Sequence, residues 1–373
     1  MDDVGNTSSV YTAANKTNYD KTAPTISAFT VVDPSPVSGQ PSDETNTLSN
    51  TITISGSDSG TDANATPSGI QYYIVSCSAF AKDYQLTPNS GTQYSGTVDF
   101  VAGTAQGSYT ISAYPIDYAG NKGATKTVAL YYDDPSSEGV PTLKIVKGGT
   151  TTSIVNGYTN SSSISATIGF VKESGESTYH IVGYKLWETG TTEPSSYTAV
   201  TRGDASVTVS KTFVSGEGKV TWNAKVIDDV GNESSAVSAS FTYDKTLPVG
   251  TFSVDKTRIS ATGDTTTATI TYGVYDANIS SWTISCNGTA IKSGTSSVGS
   301  YSSGSWSSLS TLAITSATSG MKEGANTITF TATDKAGNAL ATQTVTVTLD
   351  TSAPVGTFLT PTNVWYSKTG DNV

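Results

Sequence analysis

Asn326-Thr-Ile-Thr-Phe-Thr-Ala-Thr-Asp-Lys-Ala-Gly-Asn338 carries two messages in one stretch. Residues 326–333 alternate apolar side chains with threonine, so Ile328, Phe330 and Ala332 share one face of a strand. Asp334-Lys-Ala-Gly-Asn338 then reads as a turn. An Asp carboxylate can cap such a turn, and Gly and Asn tolerate positive φ. A second alternating run, Thr342-Gln-Thr-Val-Thr-Val-Thr-Leu349, leads out to Asp350. Together they predict a β-hairpin with one buried face.

The turn recurs. Asp-x-x-Gly-Asn stands at Asp2–Asn6, Asp117–Asn121, Asp228–Asn232 and Asp334–Asn338, and its Gly falls at 5, 120, 231 and 337. Spacings of 115, 111 and 106 residues are each enough for a domain with its own core. An acidic linker follows each copy, at Asp20, Asp133, Asp244 and Asp350. Three of the four continue to a proline: Asp20-Lys-Thr-Ala-Pro24, Asp244-Lys-Thr-Leu-Pro248 and Asp350-Thr-Ser-Ala-Pro354. Proline fixes φ and restrains its predecessor, which limits hinge angles.

These marks divide the chain into modules at 25–141, 142–248 and 249–354. Residues 1–24 read as the last hairpin of a truncated module. Residues 355–373 read as the start of another, because Val355-Gly-Thr-Phe358 repeats Val249-Gly-Thr-Phe252. Thr267–Val274 and Ser281–Cys286 alternate as half-buried strands. Val220, Trp222, Ala224 and Val226 form one strand face in the second module, as do Tyr109, Ile111 and Ala113 in the first. Short strands punctuated by Gly, Asn and Ser predict an all-β fold of two-sheet sandwiches in tandem.

Only 14% of residues are charged, and the net charge is −11, which argues against nucleic acid or anionic membrane as a partner. No apolar stretch is long enough to span a membrane. The two cysteines, in Ile74-Val-Ser-Cys77 and Thr283-Ile-Ser-Cys286, lie in different modules and read as small buried hydrophobes, not as a disulfide framework. His180 is the only histidine and is read as an incidental surface or strand position, so neither a His cluster nor a Ser/His/Asp set is available. The chain is therefore read as non-catalytic. Trp222 and Trp282 read as core, and Trp187 and Trp306 as lying near turns. Exposed aromatics among the 20 Tyr could stack on sugar rings.

Asp-x-Ala-Gly-Asn, a following strand, then Asp-x-Thr-x-Pro resembles the tandem bacterial immunoglobulin-like (BIg-type) domains of adhesins and other cell-surface proteins. Asp117-Tyr-Ala-Gly-Asn121 and Asp334-Lys-Ala-Gly-Asn338 match best. Asp228 and Asp2 open copies with Val for Ala, and the linker Asp133-Asp-Pro135 departs from the pattern. The resemblance implies tandem immunoglobulin-like β-sandwiches in an elongated array, at a bacterial surface or outside the cell, serving as a stalk that projects a terminal head. Its partners would be neighbouring modules of the same chain. The alternative role is a ligand-binding array for a host glycan or protein. A further alternative is an accessory region of a secreted polysaccharide-active enzyme or of a phage structural protein.

In a sandwich of this type the incoming linker, the turn between the second and third strands and the final hairpin turn share one pole. Asp20, Asp58 and Asp117 are expected to meet at the first junction, and Asp244, Asp276 and Asp334 at the third. At the second, Asp133 or Asp134 would meet Asp228, with Glu173 a poor substitute for a missing Asp. Three carboxylates with backbone carbonyls suit Ca2+, and adhesin arrays of the kind resembled stiffen some junctions that way. The competing reading is that each Asp only caps its own turn. Asp58-Ser-Gly-Thr-Asp62-Ala-Asn64 reads as a solvated loop, because no closing Glu follows at the helix–loop–helix spacing.

Overall fold

Every regular element of the computed structural model is a β-strand; it describes residues 19–60, 67–148, 150–173, 176–213 and 216–357. Most of the hairpin expected at 1–24, with the phrase at Asp2–Asn6, residues 61–64 of the 58–64 loop and residues 358–373 of the segment expected at 355–373 lie outside the described residues.

The strands repeat one topology three times. In the first sandwich Thr25–Val32, Ser49–Ser57 and Gln93–Asp99 form a three-stranded antiparallel sheet with Ser49–Ser57 central. Glu44–Thr45, Lys126–Tyr132, Gly107–Asp117, Ile70–Ser76 and Tyr84–Leu86 form the opposing five-stranded sheet in that order. Its edge pair is parallel: Glu44 and Thr45 run alongside Tyr131 and Tyr132. The second sandwich repeats this with Tyr158–Thr159 beside Val237–Tyr243, and the third with Arg258–Ser260 beside Gln343–Asp350. The third adds a small hairpin, Ser300–Ser302 with Ser305–Ser307.

Alternation produces the cores. Ile52, Ile54, Tyr73, Val75, Ile111, Ala113 and Leu130 are buried in the first. Ile145, Ile164, Ile168, Trp222, Ala224 and Phe241 are buried in the second, and Ile270, Trp282, Ile284, Phe330 and Val347 in the third. Each buried Val, Leu, Ile or Phe side chain contributes about 1.5–3 kcal/mol of apolar burial. Ile328, Phe330 and Ala332 face inward as their alternation requires, and Trp222 and Trp282 are core residues.

Trp187 lies near a turn as expected, next to the end of the strand Ile181–Glu188 and before the turn closed by Thr191 N–H to Glu188 O. Other expectations are corrected. His180 is buried instead of at the surface; it immediately precedes that strand and is enclosed by Glu44, Glu176, Arg202 and Asp229. Cys286 is fully buried, but Cys77 falls just past its strand and is only partly covered.

By contact density the described chain falls into two compact units. One comprises the described residues of 1–156, 163–214 and 220–241; the other comprises the described residues of 157–162, 215–219 and 242–373. The first holds the first sandwich and most of the second, and the other holds the third with the segments that precede it.

Candidate cation-binding junctions

The recurring turn is built identically three times. Its Gly takes positive φ, 86° at Gly120, 94° at Gly231 and 91° at Gly337, a region costly for any residue with a Cβ. Asn121, Asn232 and Asn338 do not need that conformation. Each instead donates its backbone N–H to the Asp four residues earlier, at 2.7, 2.7 and 2.8 Å. The capping role read from sequence is therefore present at each described copy.

A bulge brings a second loop against the turn. Ile70 pairs with Asp117, Ile181 with Asp228 and Ile279 with Asp334, and each pairing shifts register immediately afterwards. The residue after each Asp donates its N–H to the carbonyl just before each Ile: Tyr118 to Gly69 (3.0 Å), Asp229 to His180 (3.1 Å) and Lys335 to Asn278 (2.8 Å). In the first and third sandwiches an Asp stands directly after the preceding strand, Asp58 after Ser57 and Asp276 after Tyr275.

At the first junction Asp20, Asp58 and Asp117 each offer a carboxylate oxygen within 4.8 Å of the others. Asp20 accepts Thr22 N (2.9 Å) and Ser68 N (2.7 Å), and the Ser68 bond leads the causes that lower its pKa. Asp58 accepts Gly69 N through one oxygen, while its other oxygen is buried without a hydrogen-bond partner. Asn121 Nδ2 reaches both Asp117 Oδ2 (2.8 Å) and the Asp20 carbonyl (3.1 Å).

At the third junction Asp244, Asp276 and Asp334 gather equally closely, and all three are buried. Asp244 accepts Thr246 N (3.1 Å) and Asn278 Nδ2 (2.6 Å), and Asp276 accepts Asn278 N (2.6 Å). Asn338 Nδ2 bonds Asp334 Oδ2 (2.6 Å) and the Asp244 carbonyl (2.9 Å). Burial, then the carboxylates of Asp244 and Asp334, push the pKa of Asp276 up. Among the described residues none of these six carboxylates is ion-paired with Lys or Arg. The donor set is oxygen only, which is the chemistry Ca2+ takes. The unpartnered oxygen of Asp58 gives the first cluster a donor that turn-capping leaves unused.

The second junction differs. Asp133 holds the linker position, since its N–H donates to Thr45 O at 2.9 Å, just as Asp244 N donates to Thr159 O. The cap that Asp244 gives Thr246 comes here from Asp134, which accepts the N–H and hydroxyl of Ser136 at 2.9 and 2.8 Å. Asp134 is thus a turn cap, not a member of the buried cluster. Asp133 and Asp228 are each only 2% exposed. Burial, then the charge of Asp228, pushes Asp133 up to about 9, and burial raises Asp228 to about 6. Glu138 is half-buried; burial, then the charge of Asp228, pushes it up to about 9. Glu173, expected as a weak substitute ligand, instead bonds Gly139 N (2.8 Å) and Ser137 Oγ (2.9 Å).

Beside it lies an ionic network that sequence reading missed. Arg202 bonds Glu44 at 2.7 Å and pairs through Nε with Asp229. Its other contact is His180 Nε2 at 2.9 Å. Arginine only donates, so Nε2 accepts and the neutral ring carries its proton on Nδ1, which lies 3.1 Å from Glu176 Oε1 without making a hydrogen bond. Glu44, His180 and Asp229 offer atoms close enough for a metal, yet a ring protonated on Nδ1 is a donor there and not a ligand. Burial leads the causes that lower the His180 pKa.

Two asparagines were also missed. Asn46 Nδ2 bonds Val230 O (2.7 Å) and Asn232 Oδ1 (3.1 Å), and Asn160 Nδ2 bonds Asn338 Oδ1 (3.1 Å). Both directly follow the short parallel strand, in Glu44-Thr-Asn46 and Tyr158-Thr-Asn160. That shared Thr-Asn spacing was the available signal.

No protein-family profile and no curated protein matches the chain. Several solved structures resemble it. Fibronectin(III)-like modules of Clostridium thermocellum CbhA are 15% identical, with a TM-score of 0.34, over 56% of this chain and 94% of theirs. A 1.5-MDa bacterial ice-binding adhesin is 16% identical, with a TM-score of 0.41, over 90% of this chain and all of the other. A Ca2+-stabilized adhesin of an Antarctic bacterium is 16% identical, with a TM-score of 0.33, over 88% and 75%. The fold is all-β, of tandem immunoglobulin-like sandwiches. No described helix is long and apolar enough to cross a membrane.

Proposed function

We propose that the chain is a non-catalytic structural spacer of an adhesin-like protein at a bacterial surface or outside the cell. In this reading residues 25–141, 142–248 and 249–354 are its immunoglobulin-like modules, and its stiffness resides in the joints. One observation carries it: at two junctions the turn Asn, Asn121 or Asn338, clasps the carbonyl of the linker Asp, Asp20 or Asp244. A residue spent on holding the incoming linker serves the connection between modules, not chemistry on a substrate. Ca2+ at Asp20/Asp58/Asp117 and at Asp244/Asp276/Asp334 would neutralise the gathered carboxylates and tighten the same joints.

The test is small-angle scattering of the whole chain with Ca2+ and after chelation. A spacer with cation-set joints gives a narrower distribution of end-to-end lengths in Ca2+. Identical curves in both conditions, with Asn121→Ala and Asn338→Ala also unchanged, would sink the mechanical reading.

A second reading has one specific observation behind it. A cleft of about 410 Å³ is lined by Glu217, Tyr243 and Leu247 from residues 142–248 and by Tyr275, Asn278 and Tyr301 from residues 249–354, and Tyr275 is 41% exposed. Such a ring beside polar groups suits a sugar face. Glycan binding abolished by Tyr275→Ala would favour this reading.

A further inference from the structure

We infer that Arg202 is a built-in cation that locks the first sandwich to the second, so that this joint closes without a metal. The lock rests on the spacer reading for its purpose. It acts at one joint and is measured there, so either reading can fail without the other.

The guanidinium spans two modules. Its Nη2 donates to Glu44 Oε1 at 2.7 Å and to His180 Nε2 at 2.9 Å, and its Nε pairs with Asp229 Oδ2. Glu44 belongs to residues 25–141, whereas Arg202, His180 and Asp229 belong to residues 142–248. The same edges meet again beside it. Asn46, two residues after Glu44, bonds Val230 O and Asn232 Oδ1. Val37 stands 3.0 Å from where a Cβ on Gly231 would lie.

The charges need such a cation. Glu44 is 9% exposed and Asp229 3%, and their carboxylate oxygens come within 4.8 Å of each other. Two carboxylates desolvated together repel unless a cation or a proton offsets them. Burial and Asp229 raise the Glu44 pKa, and Arg202 opposes both. Glu176 adds a third acid, 3.1 Å from His180 Nδ1. Among the described residues Arg202 is the only Lys or Arg that pairs with any of the three.

The chain places Arg202 for this task. It stands on a turn closed by Asp204 N–H to Thr201 O at 3.1 Å, with Gly203 at φ 97°. Gly203 N–H donates to the carbonyl of Tyr179, the residue before His180, at 2.9 Å. The turn is thereby held beside the imidazole. One planar fork then serves three acceptors, which the point charge of Lys does not match.

The equivalent positions elsewhere differ. Asp229 is the second residue of the recurring turn; Tyr118 holds that place in the first sandwich, 66% exposed, and Lys335 in the third. Tyr158 takes the place of Glu44, two residues before Asn160, and Lys335 Nζ lies 5.3 Å from its ring centroid. A basic side chain meets the short edge strand in both cases. Only Arg202 has buried carboxylates to offset.

The test is native-state hydrogen exchange on the full chain in chelator at pH 8, where Glu44 is ionised, with Arg202→Met and Glu44→Gln in a double-mutant cycle. Arg202→Met should speed exchange at residues 43–46 and 228–232 about tenfold, because Glu44 and Asp229 are left without a cation. In the Glu44→Gln background the same change should have an effect of about threefold or less, since one charge is gone. Arg202→Lys should fall between wild type and Arg202→Met. Equal effects of Arg202→Met in both backgrounds would overturn the inference, as would wild-type exchange in these segments that slows when Ca2+ replaces the chelator. Should Arg202→Met not fold, wild type decides by arginine modification. The chain has two arginines, Arg202 and the exposed Arg258. A cleft of about 420 Å³, lined by Glu44, Tyr131, His180 and Arg202 among others, leaves the guanidinium open to a small dicarbonyl reagent. Arg258 should still react about tenfold faster, because pairing with carboxylates holds Arg202 in its protonated form. Equal rates at the two arginines would refute the lock.

Discussion

The side-chain amide of Asn338 donates to the backbone carbonyl of Asp244 at 2.9 Å, across 94 residues of sequence. Asn121 does the same to Asp20 at 3.1 Å. The same two asparagines also bond the second carboxylate oxygen of their own turn Asp. The turn and the linker are therefore one hydrogen-bonded object, which ties the local hairpin to the path of the incoming chain.

Asn338→Ala should loosen that object. It removes a buried amide and leaves the Asp244 carbonyl and Asp334 Oδ2 short of a donor, at a cost of about 1–3 kcal/mol. Hydrogen exchange should show the loss as faster exchange in Gly324–Asp334 and in residues 242–248, with the first sandwich unchanged.

Gly337→Ala tests backbone conformation alone. A Cβ there meets nothing within 4 Å, so only the positive φ is opposed, at about 1–2 kcal/mol. Gly231→Ala should cost more, because its Cβ would also press on Val37 at 3.0 Å. Thermal melting of the two variants checks the order.

Acidity separates the buried Glu44 from its neighbours. Burial, then Asp229, raises Glu44 to about 7, above its ordinary value of 4.5. The folded state therefore holds this proton more tightly than the unfolded one. The contribution is fully present below pH 4.5 and is lost as pH rises through 7. His180, lowered by burial, has the opposite sign: its contribution is present above its ordinary 6.5 and is lost on acidification. Relative to Glu44→Gln, wild type should lose stability between pH 5 and 8 in chelator, measured as a difference in Tm.

The two thiols should react differently. Burial pushes the Cys286 thiol up, and the side chain is enclosed, whereas Cys77 is partly exposed. A thiol reagent should label Cys77 in the native chain and reach Cys286 only on unfolding, as intact-mass analysis would show.

Period-two alternation made the strands legible, because in Gly324–Asp334 or Gly218–Asp228 every second side chain must enter a core or leave it. The repeated turn was legible too, since Asp, Gly and Asn each meet a local backbone need. These are short-range constraints, and the residues themselves determine them. The convergence of Asp20, Asp58 and Asp117, and of Asp244, Asp276 and Asp334, could be anticipated from the pole that their loops share.

What lay beyond the sequence was long-range and depended on which atoms were left without partners. Nothing in the order of residues announces that Asp134 takes the capping task from Asp133. Nor does it announce that Glu173 accepts from Gly139 N and Ser137 Oγ, or that the sole histidine faces Arg202, Glu44 and Asp229. The sequence by itself determined the strands, their faces and the turns between them. Only the tertiary structure decided which carboxylates lose water together, because desolvation and Coulomb repulsion depend on distances that packing sets.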